Sequence, residues 1–121
     1  METIYIYLEK PPRGMNHART VQGRAAANNW TKLNAFAREL KARPLNDFLG
    51  NDTDAGTWFP PKEALATLQR LITRIASDRQ AVDNVRHLIR DLNSYENILS
   101  AAQARGSKFH FSTRKEKPVV E

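Results

Sequence analysis

Histidine is the side chain best suited to proton transfer at neutral pH, and this chain has three of them. His87 stands out because Asp83 and Asp91 lie four residues to either side, on the same face of a predicted helix. Carboxylates at that spacing either orient an imidazole for acid–base chemistry or simply form surface ion pairs with it. We favour the surface pair for His87, so no catalytic role is predicted for it.

The remaining reactive residues form no catalytic or metal-binding pattern. The chain has no cysteine, which excludes disulfides, thiolate zinc sites and cysteine nucleophiles. His17 lies in a polar segment and is expected to be solvated, and Asp52 and Asp54 lack the further oxygen ligands of a calcium loop. The sequence therefore predicts no catalytic residue, no metal site and no cofactor, and an enzyme ranks behind two binding functions.

His110 belongs to an alternating pattern that is typical of a β-strand. Between residues 108 and 114, one face holds two phenylalanines and the other holds Lys108, His110, Ser112 and Arg114. Residues 3–9 alternate in the same way, with Ile4, Ile6 and Leu8 opposite Tyr5 and Tyr7. We expect the two strands to pair antiparallel, with their apolar faces toward the helices.

The outer face of that sheet would combine aromatic rings with cations. Its members are Tyr5, Tyr7, Lys108, His110 and Arg114. Sheets that bind single-stranded nucleic acid use this mixture, and so do protein–protein interfaces. Because the RNA-recognition signature is missing, protein contact is favoured and nucleic acid is the alternative.

The net charge of +6 comes from one part of the chain. From residue 10 to residue 38 there is no acidic side chain, and the basic ones are Lys10, Arg13, Arg19, Arg24, Lys32 and Arg38. A concentrated basic segment raises the local potential and attracts an acidic partner, whether phosphate backbone or acidic protein. A solvated basic loop is the simpler interpretation of the same residues.

The longest helix is predicted over residues 81–102, where apolar side chains recur at spacings of four and three. The stripe consists of Ala81, Val85, Leu88, Leu92, Tyr95, Leu99 and Ala102. Polar residues between them, Asp91 included, are expected to face water. Ser77 followed by Gln80 resembles a capping box, which predicts that the helix begins shortly after residue 77.

Two further helices are predicted, from residue 28 or 29 to about 42 and from about 61 to 77, with a short helical turn at 45–49. The predicted fold class is therefore α+β, with three main helices packed on a small antiparallel sheet formed by the N- and C-terminal strands. One domain is expected over residues 1–114, with a mobile basic loop at about 11–27 and a flexible tail at 115–121.

The sequence has no apolar run of the roughly 20 residues that a membrane span needs. Its first eight residues are too short for a signal peptide and include the acidic Glu2. A soluble cytoplasmic protein is expected.

Three motifs resemble a group of small bacterial α+β proteins, some of which are similar to immunity proteins of toxin systems. The motifs are Trp-Phe-Pro-Pro-Lys-Glu-Ala-Leu at 58–65, Asp-Leu-Asn-Ser-Tyr-Glu-Asn-Ile-Leu at 91–99 and Gly-Ser-Lys-Phe-His-Phe at 106–111. The resemblance covers about half of the chain and implies a non-enzymatic binding protein. It implies no catalytic residues.

Together these patterns predict a protein that binds another macromolecule, most simply a protein, with nucleic acid as the alternative. The predicted contact residues are Tyr5, Tyr7, Arg13, Arg19, Arg24, Lys108, His110 and Arg114.

Overall fold

The sheet has three strands in the part of the chain that the structure describes. A computed structural model describes residues 2–9, 18–50 and 58–115, and gives only the backbone of residues 2, 3, 5, 18–22 and 113–115. The strands are β1 (Glu2–Leu8), β2 (Ala18–Gly23) and β3 (Phe109–Lys115). β1 lies in the centre and pairs antiparallel with both neighbours.

The expected pairing of the two terminal strands is confirmed. β1 and β3 are in continuous antiparallel register over all 7 residues of each strand. Because side chains alternate across a strand, one face of the pair is apolar. That face consists of Ile4, Ile6, Leu8, Phe109 and Phe111, and all of these are buried.

Helices cover this face and complete the core, which confirms the α+β class. They are α1 (Arg24–Asn28), α2 (Trp30–Glu39), α3 (Pro61–Ser77) and α4 (Val85–Ala104), with 3-10 turns at Leu45–Phe48 and Arg79–Ala81. α3 packs along α4, and α1 contacts both β1 and α4. The predicted α3 and the short turn after α2 are confirmed, whereas α2 ends at Glu39, earlier than expected.

The segment expected to be a mobile loop is partly regular structure. The loop prediction at about 11–27 is wrong for β2 and α1, which follow each other without a break. Small residues explain this, because Ala25 and Ala26 are buried where larger side chains would not fit close to the sheet. Residues 10–17 and 116–121, which include the rest of this loop and nearly all of the predicted tail, lie outside the described residues.

Gly23 joins β2 to α1 at a place where no side chain fits. A Cβ atom there would collide with the hydroxyl oxygen of Tyr95 and the carbonyl oxygen of Ile4. The Tyr95 hydroxyl donates a 2.6 Å hydrogen bond to that carbonyl, and its burial raises the pKa of the phenol, so it remains a donor. α4 is thereby attached directly to the central strand.

The predicted capping box before α4 is wrong. Ser77 donates to the carbonyl of Arg74 at 2.7 Å instead of capping the next helix, and residues 79–81 form a separate 3-10 turn. α4 begins at Val85, after Asn84 in the left-handed conformation (φ 50°). The chain turns back over α1 here, and tertiary contacts determine the start of the helix in place of a local cap.

We expect Leu92→Ala to lower the free energy of unfolding by about 2–5 kcal/mol, because it deletes a completely buried side chain in the middle of the α4 stripe. Urea denaturation followed by circular dichroism measures this change. The neighbouring exposed substitution Asn93→Ala is the control and should change stability by less than about 0.5 kcal/mol. Equal effects of the two substitutions would contradict the position of the core.

Candidate functional site

The outer face of the sheet carries a compact ring cluster made of Tyr7, Trp58 and His110. The His110 ring stacks on Tyr7 with 5.3 Å between centroids and a 7° angle, and on Trp58 with 5.0 Å and 30°. Tyr7 and Trp58 are 6.2 Å apart. Tyr7 lies opposite His110 in the β1–β3 ladder, so the strand register brings these two rings together.

The expectation that His110 is exposed on this face is wrong, because its side chain is 0% exposed. Residues 49–50 and 58–59, which flank the undescribed residues 51–57, lie along the outer edge of β3. Leu49 and Phe59 form bridges to Phe111 and Phe109, and the backbone of Gly50 packs against the His110 ring so closely that a Cβ atom would collide with it. His110 therefore organises the surface but cannot touch a partner.

The other predicted contact residues have different outcomes. Tyr7 is half-buried, Trp58 next to it is also partly exposed, and Lys108 is exposed. Arg13 lies outside the described residues, as do the side chains of Tyr5, Arg19 and Arg114. Trp58 is the member of this surface that sequence reasoning missed, since its Trp-Phe-Pro-Pro context indicated only a helix entrance.

A second surface lies between α1 and α4, around a polar cleft of about 400 Å³. The polar side chains that line it are Arg24, Asn28, Asn84, His87, Arg90 and Asp91. Arg24 was among the predicted contact residues, but its proximity to the first turns of α4 was not predicted. Only the fold of residues 18–28 brings Arg24 close to the first turns of α4.

Asn29 holds the two walls of this cleft in place. Its side chain is buried, and its amide nitrogen donates to the carbonyls of Ala25 at 2.8 Å and Asp83 at 2.9 Å. Its amide oxygen accepts from the backbone N–H of Asp83 at 3.0 Å. The end of α1 is thereby tied to the turn before α4, and the cleft has a fixed shape.

Asp91 is also structural. It was expected to face water, but it is 4% exposed, and its Oδ2 accepts a 3.2 Å hydrogen bond from the backbone N–H of Ala26 in the first turn of α1. Because Gly23 has no side chain to cap α1, the carboxylate of Asp91 takes that role from α4. Burial raises the pKa of the Asp91 carboxyl, while the N–H of Ala26 acts in the opposite direction.

The predicted helical arrangement around His87 is only half present. Asp83 precedes α4 and pairs with Lys32 at 3.5 Å, so it does not share a helix face with His87. His87 is exposed at the cleft, and the Oδ2 atom of nearby Asp91 is engaged by backbone. General acid–base chemistry needs a proton acceptor held within hydrogen-bond reach of its substrate. The Oδ2 atom of Asp91 instead accepts a hydrogen bond from the backbone N–H of Ala26.

Within residues 2–9, 18–50 and 58–115, no group of three or more metal-ligating side chains is close enough to hold a metal ion. None of the helices described is long and apolar enough to cross a membrane.

Comparison of this chain with protein-family models, with curated proteins and with solved structures finds no significant match in any of the three. The resemblance to immunity-like proteins therefore stays a prediction.

We expect diethyl pyrocarbonate, which acylates accessible imidazoles, to modify exposed His87 at least about tenfold faster than buried His110. Trp58→Ala removes one ring of the cluster and should make His110 reactive. Peptide mass spectrometry measures both rates in one sample, with His87 as the internal control. Equal reactivity of the two residues in the unsubstituted protein would contradict the burial of His110.

Asp91→Asn tests the buried carboxyl through the pH dependence of stability. Because burial raises the folded-state pKa above the ordinary value of 3.8, the protonated carboxyl stabilises the fold fully below that pH. This contribution is lost as the pH rises from there through the folded-state pKa. Urea denaturation at several pH values should therefore show the unsubstituted protein losing stability relative to Asp91→Asn as the pH rises above about 4. A difference that is constant or of opposite slope would contradict the assignment.

Proposed function

We propose that this chain is a non-enzymatic binding protein, similar in role to bacterial immunity proteins, that works in the cytoplasm and whose partner is another protein. The observation that carries the proposal is the ring cluster, which presents partly exposed Tyr7 and Trp58, with exposed Lys108 two residues before His110 in the chain. Tryptophan and tyrosine are the residues most enriched among the energetically dominant positions of protein interfaces.

The stacking on His110 makes these two rings suitable anchors. Both Tyr7 and Trp58 are packed on a ring that is itself completely buried, so their side chains are already ordered before a partner arrives. Binding a pre-ordered ring avoids the loss of side-chain entropy of about 0.5–1.5 kcal/mol that a mobile side chain incurs. Lys108, which directly precedes β3, adds a cation and favours an acidic partner surface.

Nucleic acid is the alternative, and the basic residues support it. The excess of positive charge in residues 10–38, with Arg24 at the α1–α4 cleft, suits a phosphate backbone. The ring cluster supports it less, because bases stack on open ring faces, whereas Tyr7 and Trp58 each have a face on His110. We therefore place protein binding first.

Binding to a purified partner tests the proposal. The tagged chain captures candidate proteins from a nuclease-treated bacterial lysate, and each candidate is then purified and titrated against variants. We expect Lys108→Glu and Trp58→Phe each to weaken the true partner's binding by about tenfold, since both alter the ring cluster surface. Lys41→Glu, an exposed charge reversal after α2, is the matched control and should leave affinity unchanged.

One outcome would contradict protein binding through the ring cluster. A candidate whose affinity is the same for Lys108→Glu and Lys41→Glu does not use this surface. A gel shift with mixed single-stranded DNA and RNA tests the alternative, whose affinity should fall by orders of magnitude between about 50 and 200 mM salt. Absence of a shift at the lower salt concentration would eliminate nucleic acid.

A further inference from the structure

A second, more open cavity adjoins the α1–α4 cleft, and together they form what we call the arginine depression. The second cavity has a volume of about 460 Å³ and shares Asn84 and His87 with the cleft. Arg24 and Arg90 line the first cavity, whereas Arg79 and Arg86 line the second. Four arginine residues therefore line the depression around the first turns of α4.

Asp91 lines the first cavity and offsets part of the charge of Arg90 there, whereas Asp83 and Asp78 pair with cations that line neither cavity. Asp91 is buried and accepts from the backbone of α1, Asp83 pairs with Lys32 at 3.5 Å, and Asp78 pairs with Arg74 at 3.7 Å. Positive charge in a concave site produces a stronger local potential than the same charge on a flat surface. An anion in the depression would thus meet an excess of positive charge.

We propose that the arginine depression binds a small molecule that carries a pyrophosphate-type group, such as inorganic pyrophosphate or a nucleoside diphosphate. Guanidinium forks bind phosphate oxygens with two parallel hydrogen bonds, which a lysine cannot do. Arg86 and Arg90 lie one helical turn apart, about 6 Å along the axis, which suits contacts of two arginines with one pyrophosphate group. Each volume lies within the range of about 300–1,000 Å³ that is typical of small-ligand sites.

The proposal is independent of the protein-binding function, because the ring cluster and the arginine depression share no residue. Asn28 and Asn84 contribute neutral amide groups at the walls, which suit the hydroxyl groups or base of a nucleotide. The ligand class is a phosphate chain, and inorganic pyrophosphate and a nucleoside diphosphate are its two sources.

Isothermal titration calorimetry tests the proposal with inorganic pyrophosphate, adenosine diphosphate, citrate and a short single-stranded oligonucleotide as probes. We expect saturable binding of pyrophosphate or the diphosphate, and at least about tenfold weaker binding of either to Arg86→Gln and Arg90→Gln. Arg38→Gln on α2 removes an exposed arginine that lines neither cavity, so its affinity should match that of the unsubstituted protein. Circular dichroism confirms that each variant folds.

Tighter binding of the diphosphate than of pyrophosphate identifies a nucleotide site, and the reverse order identifies a pyrophosphate site. The proposal is overturned if neither probe binds, if citrate binds as tightly, or if only the oligonucleotide binds. An equal loss of affinity in Arg38→Gln and Arg90→Gln would also overturn it, since this result indicates general charge attraction. Lys108→Glu should leave pyrophosphate binding unchanged, so this test and the partner test can fail separately.

Discussion

The antiparallel pairing of β1 with β3 is the interaction on which the other features of this structure depend. It joins the two terminal segments over 7 residues and places five large apolar side chains on the face that the helices cover. The same register puts Tyr7 opposite His110 on the other face. Core and ring cluster are therefore two consequences of one ladder, because a shift by one residue would exchange the two faces.

α4 connects this sheet to the rest of the molecule through buried polar groups as well as apolar packing. Tyr95 bonds the carbonyl of Ile4 in the central strand, and Asp91, one turn earlier, bonds the backbone of Ala26 in α1. Among the described side chains, every buried nitrogen or oxygen atom has a hydrogen-bond partner. Such bonds fix how α4 is oriented against β1 and α1. An unpaired buried polar group lowers the stability of the fold, and only one arrangement pairs all of these groups. The cleft between α1 and α4 owes its shape to this arrangement.

Two surfaces result, and they have different physical character. The ring cluster presents two ordered, partly exposed aromatic groups, which are typical of contacts between proteins. The arginine depression is lined by four arginines and is polar on its α1–α4 side, which is typical of sites for small anions. The residues of the two surfaces do not overlap, so the proposed partner and the proposed ligand would not compete for the same side chains.

The sequence by itself determined the α+β class, the two terminal strands and the apolar stripe of α4, because these follow from side-chain period, which is a local property. It also indicated that Tyr7, His110 and Lys108 share one sheet face. Only the tertiary structure decided that residues 49–50 and 58–59 cover His110, that α1 forms from small residues beside the sheet, and that Asp91 turns inward to cap it. Each of these depends on groups far apart in the chain, such as Asp91 and Ala26 at 65 residues' separation. The period of side chains along one segment carries no information about contacts between distant segments. For this reason the arginine depression could not be predicted.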